Sequence, residues 1–219
     1  SVVRFAPTFS QEDAIRLADE LYALSGDVEQ LPSERDQNFL IVGKSGKRYV
    51  LKIANAKEEF AMLDAQNKVM EHAARHEGLV PYTLESLNGN MIEKIEAANG
   101  REHFMRVLTY LDGTPMGNVK RHSPELMLDL GRKLGMLSDV LQDFDHPAFH
   151  RDFHWDLANG LDIIKTNLEL IKDKELRELV ISFKKNFEDT TLPLLEVLRK
   201  SVIYNDPNDY NILLGGGDD

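Results

Sequence analysis

The sequence predicts an α+β chain of two lobes: a small lobe of antiparallel sheet and helices over residues 1–112, and a mainly helical lobe over residues 113–219. Three observations predict it. The first half alternates helical periodicity with short apolar runs divided by glycine-containing turns. After Gly113 the periodicity is mainly helical. Between the two, Gly, Pro and Asn cluster over residues 113–120, as at a domain boundary. No internal repeat or low-complexity tract interrupts this order.

The first helix is expected over residues 10–24. Ser10 is placed to cap, Asp13 follows three residues on, and Ala14, Leu17, Ala18, Leu21 and Tyr22 share one face, with Gly26 as the stop. Residues 39–42 and 48–53 read as strands joined by the loop Gly43-Lys44-Ser45-Gly46. A long helix over 57–77 follows, with Phe60, Leu63, Met70 and Ala73 on its apolar stripe and Gly78 beyond it. Residues 90–97 and 103–110 are two further strands flanking Ala98-Asn99-Gly100. Ser123-Pro124-Glu125 opens a helix reaching about residue 141, and more helix is expected over 160–171 and 174–199.

Composition removes several function classes. With 219 residues, 42% hydrophobic and 29% charged, and no apolar run near the length a bilayer requires, the chain reads as soluble and globular. Ser1-Val2-Val3-Arg4 lacks the basic region and apolar core of a secretion signal, so a cytoplasmic location is expected. The absence of cysteine excludes disulfides, thiolate nucleophiles and cysteine-ligated zinc, and is compatible with a reducing compartment. A net charge of -11 opposes binding along a nucleic-acid backbone and suits cationic small molecules better.

Chemistry concentrates in residues 201–214, where Asp206 and Asn211 stand five residues apart between two apolar runs. In phosphotransfer loops an acid at the first position engages the attacking hydroxyl and an amide at the second ligates magnesium. A polar turn between strands is the plainer alternative. Within residues 49–53, Tyr49, Leu51 and Ile53 share one face and Val50 and Lys52 the other, so Lys52 either snorkels at a sheet edge or enters a cleft. Gln66 falls on the apolar stripe of the long helix and requires a partner there.

His150-Arg151-Asp152 spells a kinase triplet, but the residue five positions after Asp152 is Leu157. Asn159 has the wrong offset, and the aromatic neighbours Phe149, Phe153 and Trp155 favour a packing loop. His146, His150 and His154 recur at intervals of four, yet Pro147 prevents one helix from carrying all three to a metal.

The loop Tyr204-Asn205-Asp206 through Asn211 resembles the catalytic loop of the aminoglycoside phosphotransferase and choline kinase superfamily, with Tyr204 where that family usually has His. The turn Ser33-Glu34-Arg35-Asp36-Gln37-Asn38, followed by the strand bearing Lys52, is similar to the hydroxylysine kinase branch and its type II homoserine kinase-like relatives. Residues 106–113 resemble that family's last small-lobe strand and connector. The resemblance implies a protein-kinase-like two-lobe fold and an ATP- and Mg2+-dependent kinase of a small hydroxyl compound such as an amino alcohol, a hydroxy amino acid or an aminoglycoside.

It further implies that Lys52 holds phosphates, with Ser33, Arg35 and Asn38 as added donors and Gln66 at the usual place of a glutamate. Thr109, Tyr110 and Leu111 would meet adenine, Asp206 would be catalytic and Asn211 would hold the metal. A second metal-binding acid is expected one hairpin later, where the sequence supplies only Asp218 and Asp219. The large lobe is therefore expected to be truncated at its C-terminal end, in a fragment of low activity. Relatives of this kind continue further, some into a fused class III aminotransferase. A non-catalytic, pseudokinase-like module attached to such an enzyme is the rival expectation, and the polar turn at residues 33–38 disfavours a protein kinase. Neither nucleic acid nor membrane is an expected partner, and oligomeric state is not legible.

Overall fold

A computed structural model describes residues 5–33, 35–74, 79–153 and 156–215. Helix α1 (Gln11–Tyr22) begins as expected, in a reciprocal capping box: the Ser10 hydroxyl accepts from the Asp13 amide, and the Asp13 carboxylate accepts from the Ser10 amide. Ser10→Ala is expected to cost about 1 kcal/mol, measured as a lower urea midpoint at unchanged slope. The helix stop differs from expectation. Ala23 takes the left-handed conformation at φ 52° and donates to Ala18 and Asp19, whereas Gly26 opens a strand.

That strand, β1 (Gly26–Leu31), pairs along its length with β2 (Gln37–Gly43), which pairs with β3 (Arg48–Ile53). Only Val28 of β1 is buried, so alternation is nearly invisible in its sequence, and pairing with β2 defines it. Gly26 is required by close approach, since a Cβ there would lie 2.0 Å from the Val42 carbonyl oxygen. The hairpin between β2 and β3 turns at Gly46, φ 79°.

Helix α2 spans Phe60–Ala73, starting three residues later than the expected 57 because Glu59 occupies the cap position in extended conformation. The buried side becomes Met62, Leu63, Ala65, Asn67 and Ala73, while Phe60 is 52% exposed and meets Phe104 edge-on at 5.7 Å. The expected helix end, including Gly78, lies outside the described residues. Short strand β4 (Thr83–Leu84) and β5 (Glu93–Glu96) both pair with β6 (Glu102–Thr109), which pairs with β3. The antiparallel sheet thus runs β1-β2-β3-β6, with β4 and β5 sharing the outer side of β6.

Alternation divides this sheet. Val28, Phe39, Ile41, Leu51, Ile53, Met105 and Val107 pack with Ala14, Leu17, Ala18 and Tyr22 of α1 in the main core. The opposite face holds Lys52 and Arg106, the latter touching α2.

After β6 the chain forms β7 (Thr114–Pro115) and α3 (Pro124–Val140), capped by Ser123 with Pro124 in its first turn. Helix α4 (Gly160–Asn167) and α5 (Lys174–Asn186) follow, then a π-helical turn over Phe187–Thr191, α6 (Leu192–Leu195) and β8 (Leu213–Leu214). The continuous helix expected over 174–199 is broken there; Pro193 has no amide donor for an i−4 carbonyl, and the backbone widens one turn before it.

The chain divides into two compact units, one running to Phe149 and resuming at Val202, the other His150–Ser201. Within the second, Leu161, Ile164, Phe183 and Phe187 help line an apolar cleft of about 280 Å³. Among the described residues no helix is long and apolar enough to cross a membrane.

Candidate active site

Strand register places three polar side chains in one row on the face opposite the main core: Asn38 of β2 opposite Lys52 of β3, and Lys52 opposite Arg106 of β6. Leu51 and Ile53, on either side of Lys52, are fully buried in the core and hold it on the other face. Lys52 has no hydrogen bond or ion pair among the described residues. Burial first, then the neighbouring Arg106 charge, lowers its pKa, and Asp36 works against both. Asn38 Oδ1 is buried without a hydrogen-bond partner.

Gln66 finds its partner in Arg106, a residue to which sequence reasoning gave no role. Arg106 is 6% exposed; its Nη2 donates to Gln66 Oε1, and its Nη1 donates to Asn67 Oδ1 at 2.5 Å and to the Leu63 carbonyl at 3.3 Å. Burial pushes the Arg106 pKa down to about 10, opposed by Asp36 and Glu58, so it stays charged at neutral pH. Asn67 is also held by the Thr83 hydroxyl at 2.9 Å, and its own Nδ2 is buried without a partner. A signal was present: Arg106 is the one Lys or Arg inside the apolar strand β6, and antiparallel register aligns it with Lys52.

The turn before β2 is fixed by buried Asn55, whose amide donates to Asp36 Oδ1 at 3.0 Å and whose Nδ2 donates to the Arg35 carbonyl at 3.1 Å. Arg35 pairs with Glu58 at 3.5 Å, and Ser33 is exposed; Glu34 lies outside the described residues. At the other end of the sheet, the Thr109 amide donates to Tyr82 and the Tyr110 amide to Arg48. The Tyr110 ring is covered by the Arg48 guanidinium at 4.6 Å, and Arg48 also pairs with Asp112. Leu111, partly buried in the connector, makes no backbone hydrogen bond outside regular structure among the described residues.

Asp206 and Asn211 touch. Asn211 Nδ2 donates to the Asp206 carbonyl at 2.9 Å and to its carboxylate at 3.1 Å, while Asn208 Nδ2 donates to both carboxylate oxygens at 3.0 Å. The two amides orient an exposed acid and leave Asn211 Oδ1 as a hard oxygen donor, a fit to magnesium, which takes few protein ligands. Tyr204, in the position usual for His, donates its hydroxyl to the Asn211 carbonyl at 3.4 Å. The loop is moored by β7–β8 pairing and by Met116 and Gly117 amides donating to Ile212 and Asp209. Gly117 leaves space for the Tyr210 ring, and Gly113 lets the Leu214 carbonyl approach to within 2.8 Å of where a Cβ would stand.

Lys52 shares no hydrogen bond or ion pair with Asp206 or Asn211. Asp152 of the kinase-like triplet accepts from Asn159 at 2.8 Å, and Arg151 stacks on Phe153. His154, Trp155, Asp218 and Asp219 lie outside the described residues. His146 faces Asp64 at 3.5 Å.

The profile of the phosphotransferase enzyme family (APH) matches residues 27–219. Hydroxylysine kinase of Xenopus laevis is 30% identical over 95% of this chain and 59% of its own length, and that of Danio rerio 27% identical over 95% and 61%. The chain thus spans about three fifths of these curated relatives. Among solved structures, amicoumacin kinase hAmiN in complex with AMP-PNP, Ca2+ and Ami superimposes with a TM-score of 0.60 at 17% identity, covering 88% of this chain and 55% of that one. A microcompartment-associated aminopropanol kinase gives 0.51 at 15% identity, covering 66% and 45%. These structures show the protein-kinase-like fold expected from the sequence, and by the family match the chain belongs to the phosphotransferase enzyme family.

Proposed function

We propose that this chain is the nucleotide-binding and hydroxyl-activating part of a longer ATP-dependent kinase of a small amino alcohol or hydroxy amino acid. The observation that carries the proposal is the Asp206–Asn211 contact, in a loop moored beside the connector that follows β6. In this reading residues 1–112 form the nucleotide lobe and residues 113–219 part of the acceptor lobe. Lys52 engages phosphates, Asn38 borders them, and Leu111 offers its backbone to adenine. Ser33 and Arg35 flank the phosphate end, and Gln66 acts through Arg106.

Asp206 accepts the proton of the acceptor hydroxyl as that oxygen attacks the terminal phosphate and ADP departs, with most of the rate arising from positioning. Magnesium, when bound at Asn211 Oδ1, supplies charge neutralisation to the phosphates. The acidic chain, net -11, favours an acceptor bearing an amine. Hydroxylysine and aminopropanol, named for a relative and a structural neighbour, each combine an amine with a hydroxyl.

The test is ADP release by the full-length protein with ATP, Mg2+ and a panel of hydroxylysine, aminopropanol, ethanolamine, homoserine and an aminoglycoside. Turnover that depends on one amine-bearing acceptor is expected. No acceptor-dependent release with any of them would refute the kinase assignment.

A further inference from the structure

Two positive charges occupy adjacent positions in the sheet, and among the described residues neither forms an ion pair with a carboxylate. Lys52 has no hydrogen-bond or ion-pair partner among the described residues, and the three hydrogen bonds of Arg106 go to neutral groups: a backbone carbonyl and two side-chain amides. A guanidinium carries five N–H donors, so two remain after these three bonds. Burying a cation among neutral groups is costly, and placing a second beside it adds repulsion.

Asp36 and Glu58 act on Arg106 electrostatically, but Glu58 is engaged by Arg35 and Asp36 by the Asn55 amide. A further buried donor, Asn67 Nδ2, is also unfilled beside Arg106. The unspent donors and only partly compensated charges share one face, where an anion would satisfy them together.

We propose that Arg106, held by Gln66 and Asn67, is a second cationic contact beside Lys52 for the polyphosphate of the nucleotide. This rests on the kinase reading above and extends it. In this arrangement α2 is fastened to the sheet through Arg106, and among the described residues Lys52 has no partner for the ligand to displace. The charge that helps bind phosphate also fixes the helix that borders it. Gln66 is then an acceptor matched to a guanidinium.

The experiment measures binding of ATP, inorganic tripolyphosphate and adenosine to the full-length protein by calorimetry, for wild type, Arg106→Met and Arg106→Lys. For Arg106→Met, affinity for ATP and tripolyphosphate is expected to fall at least about tenfold, the scale of losing a charged hydrogen bond, with adenosine affinity within about twofold of wild type. Arg106→Lys is expected to recover most of the tripolyphosphate affinity. Equal losses for adenosine and tripolyphosphate, or no loss for either, would overturn the proposal and leave Arg106 a purely structural tether. If Arg106→Met does not fold, Arg106→Lys decides: a tenfold loss of tripolyphosphate affinity with adenosine binding intact would reject the role of charge. Wild type that binds neither ATP nor tripolyphosphate would defeat the kinase reading itself, whereas an unchanged KM for ATP in Arg106→Met would defeat only this inference.

Discussion

Asp206→Asn is expected to lower kcat about 10²–10⁴-fold while nucleotide affinity stays within about twofold of wild type. The asparagine keeps one carbonyl oxygen to accept from Asn208 and Asn211, so the loop retains much of its bonding, but it has no carboxylate to take a proton. The acid is exposed and lies outside the Lys52 row, so the change falls on transfer and spares nucleotide binding. Lys52→Ala should produce the opposite division, with a raised KM for ATP, because it removes the cation proposed to engage the phosphates. Steady-state kinetics of the full-length protein with its best acceptor, paired with calorimetry, separates the two. An Asp206→Asn enzyme with wild-type kcat would remove this residue from the chemistry.

Leu51→Ala is expected to destabilise the protein by about 2–5 kcal/mol. Leu51 is fully buried between Phe39 and Val107, its register neighbours on the two flanking strands, in the core shared with α1. Truncation empties a volume that close-packed neighbours refill only partly. For a chain of this size each kcal/mol lowers the melting temperature by about 2–4 °C, so calorimetry reads the effect directly. A loss under about 1 kcal/mol would mean that the sheet relaxes into the space, contrary to the packing on its α1 side.

Elements with local signals were legible from the residues alone. Ser10 and Asp13 announce α1, Gly46 the hairpin, and Ser123-Pro124 the start of α3. Strands β1 and β4 were not legible, because β1 shows one buried residue and β4 has only two residues; both are defined by partners distant in the chain. The exposed Phe60 follows from the same limit: apolar identity marks a candidate face, and the phase of the helix start decides which face is buried.

The candidate site divides similarly. The Asp206–Asn211 spacing was readable because five residues of loop suffice to bring the amide onto the acid. The partnership of Gln66 with Arg106 was not, since it joins residues forty positions apart through strand register. Asn208, which holds both carboxylate oxygens of Asp206, reads in sequence as one more turn residue.

The β7–β8 clasp has a wider consequence. Because the Asp206 loop is fastened one residue beyond Gly113, connector and acid share a single mechanical frame. Lengthening residues 109–113 would carry the Asp206 loop away together with the connector. If the proposed function holds, altering acceptor preference by engineering calls for side-chain exchange at constant spacing, because the clasp converts any insertion there into a displacement of the Asp206 loop.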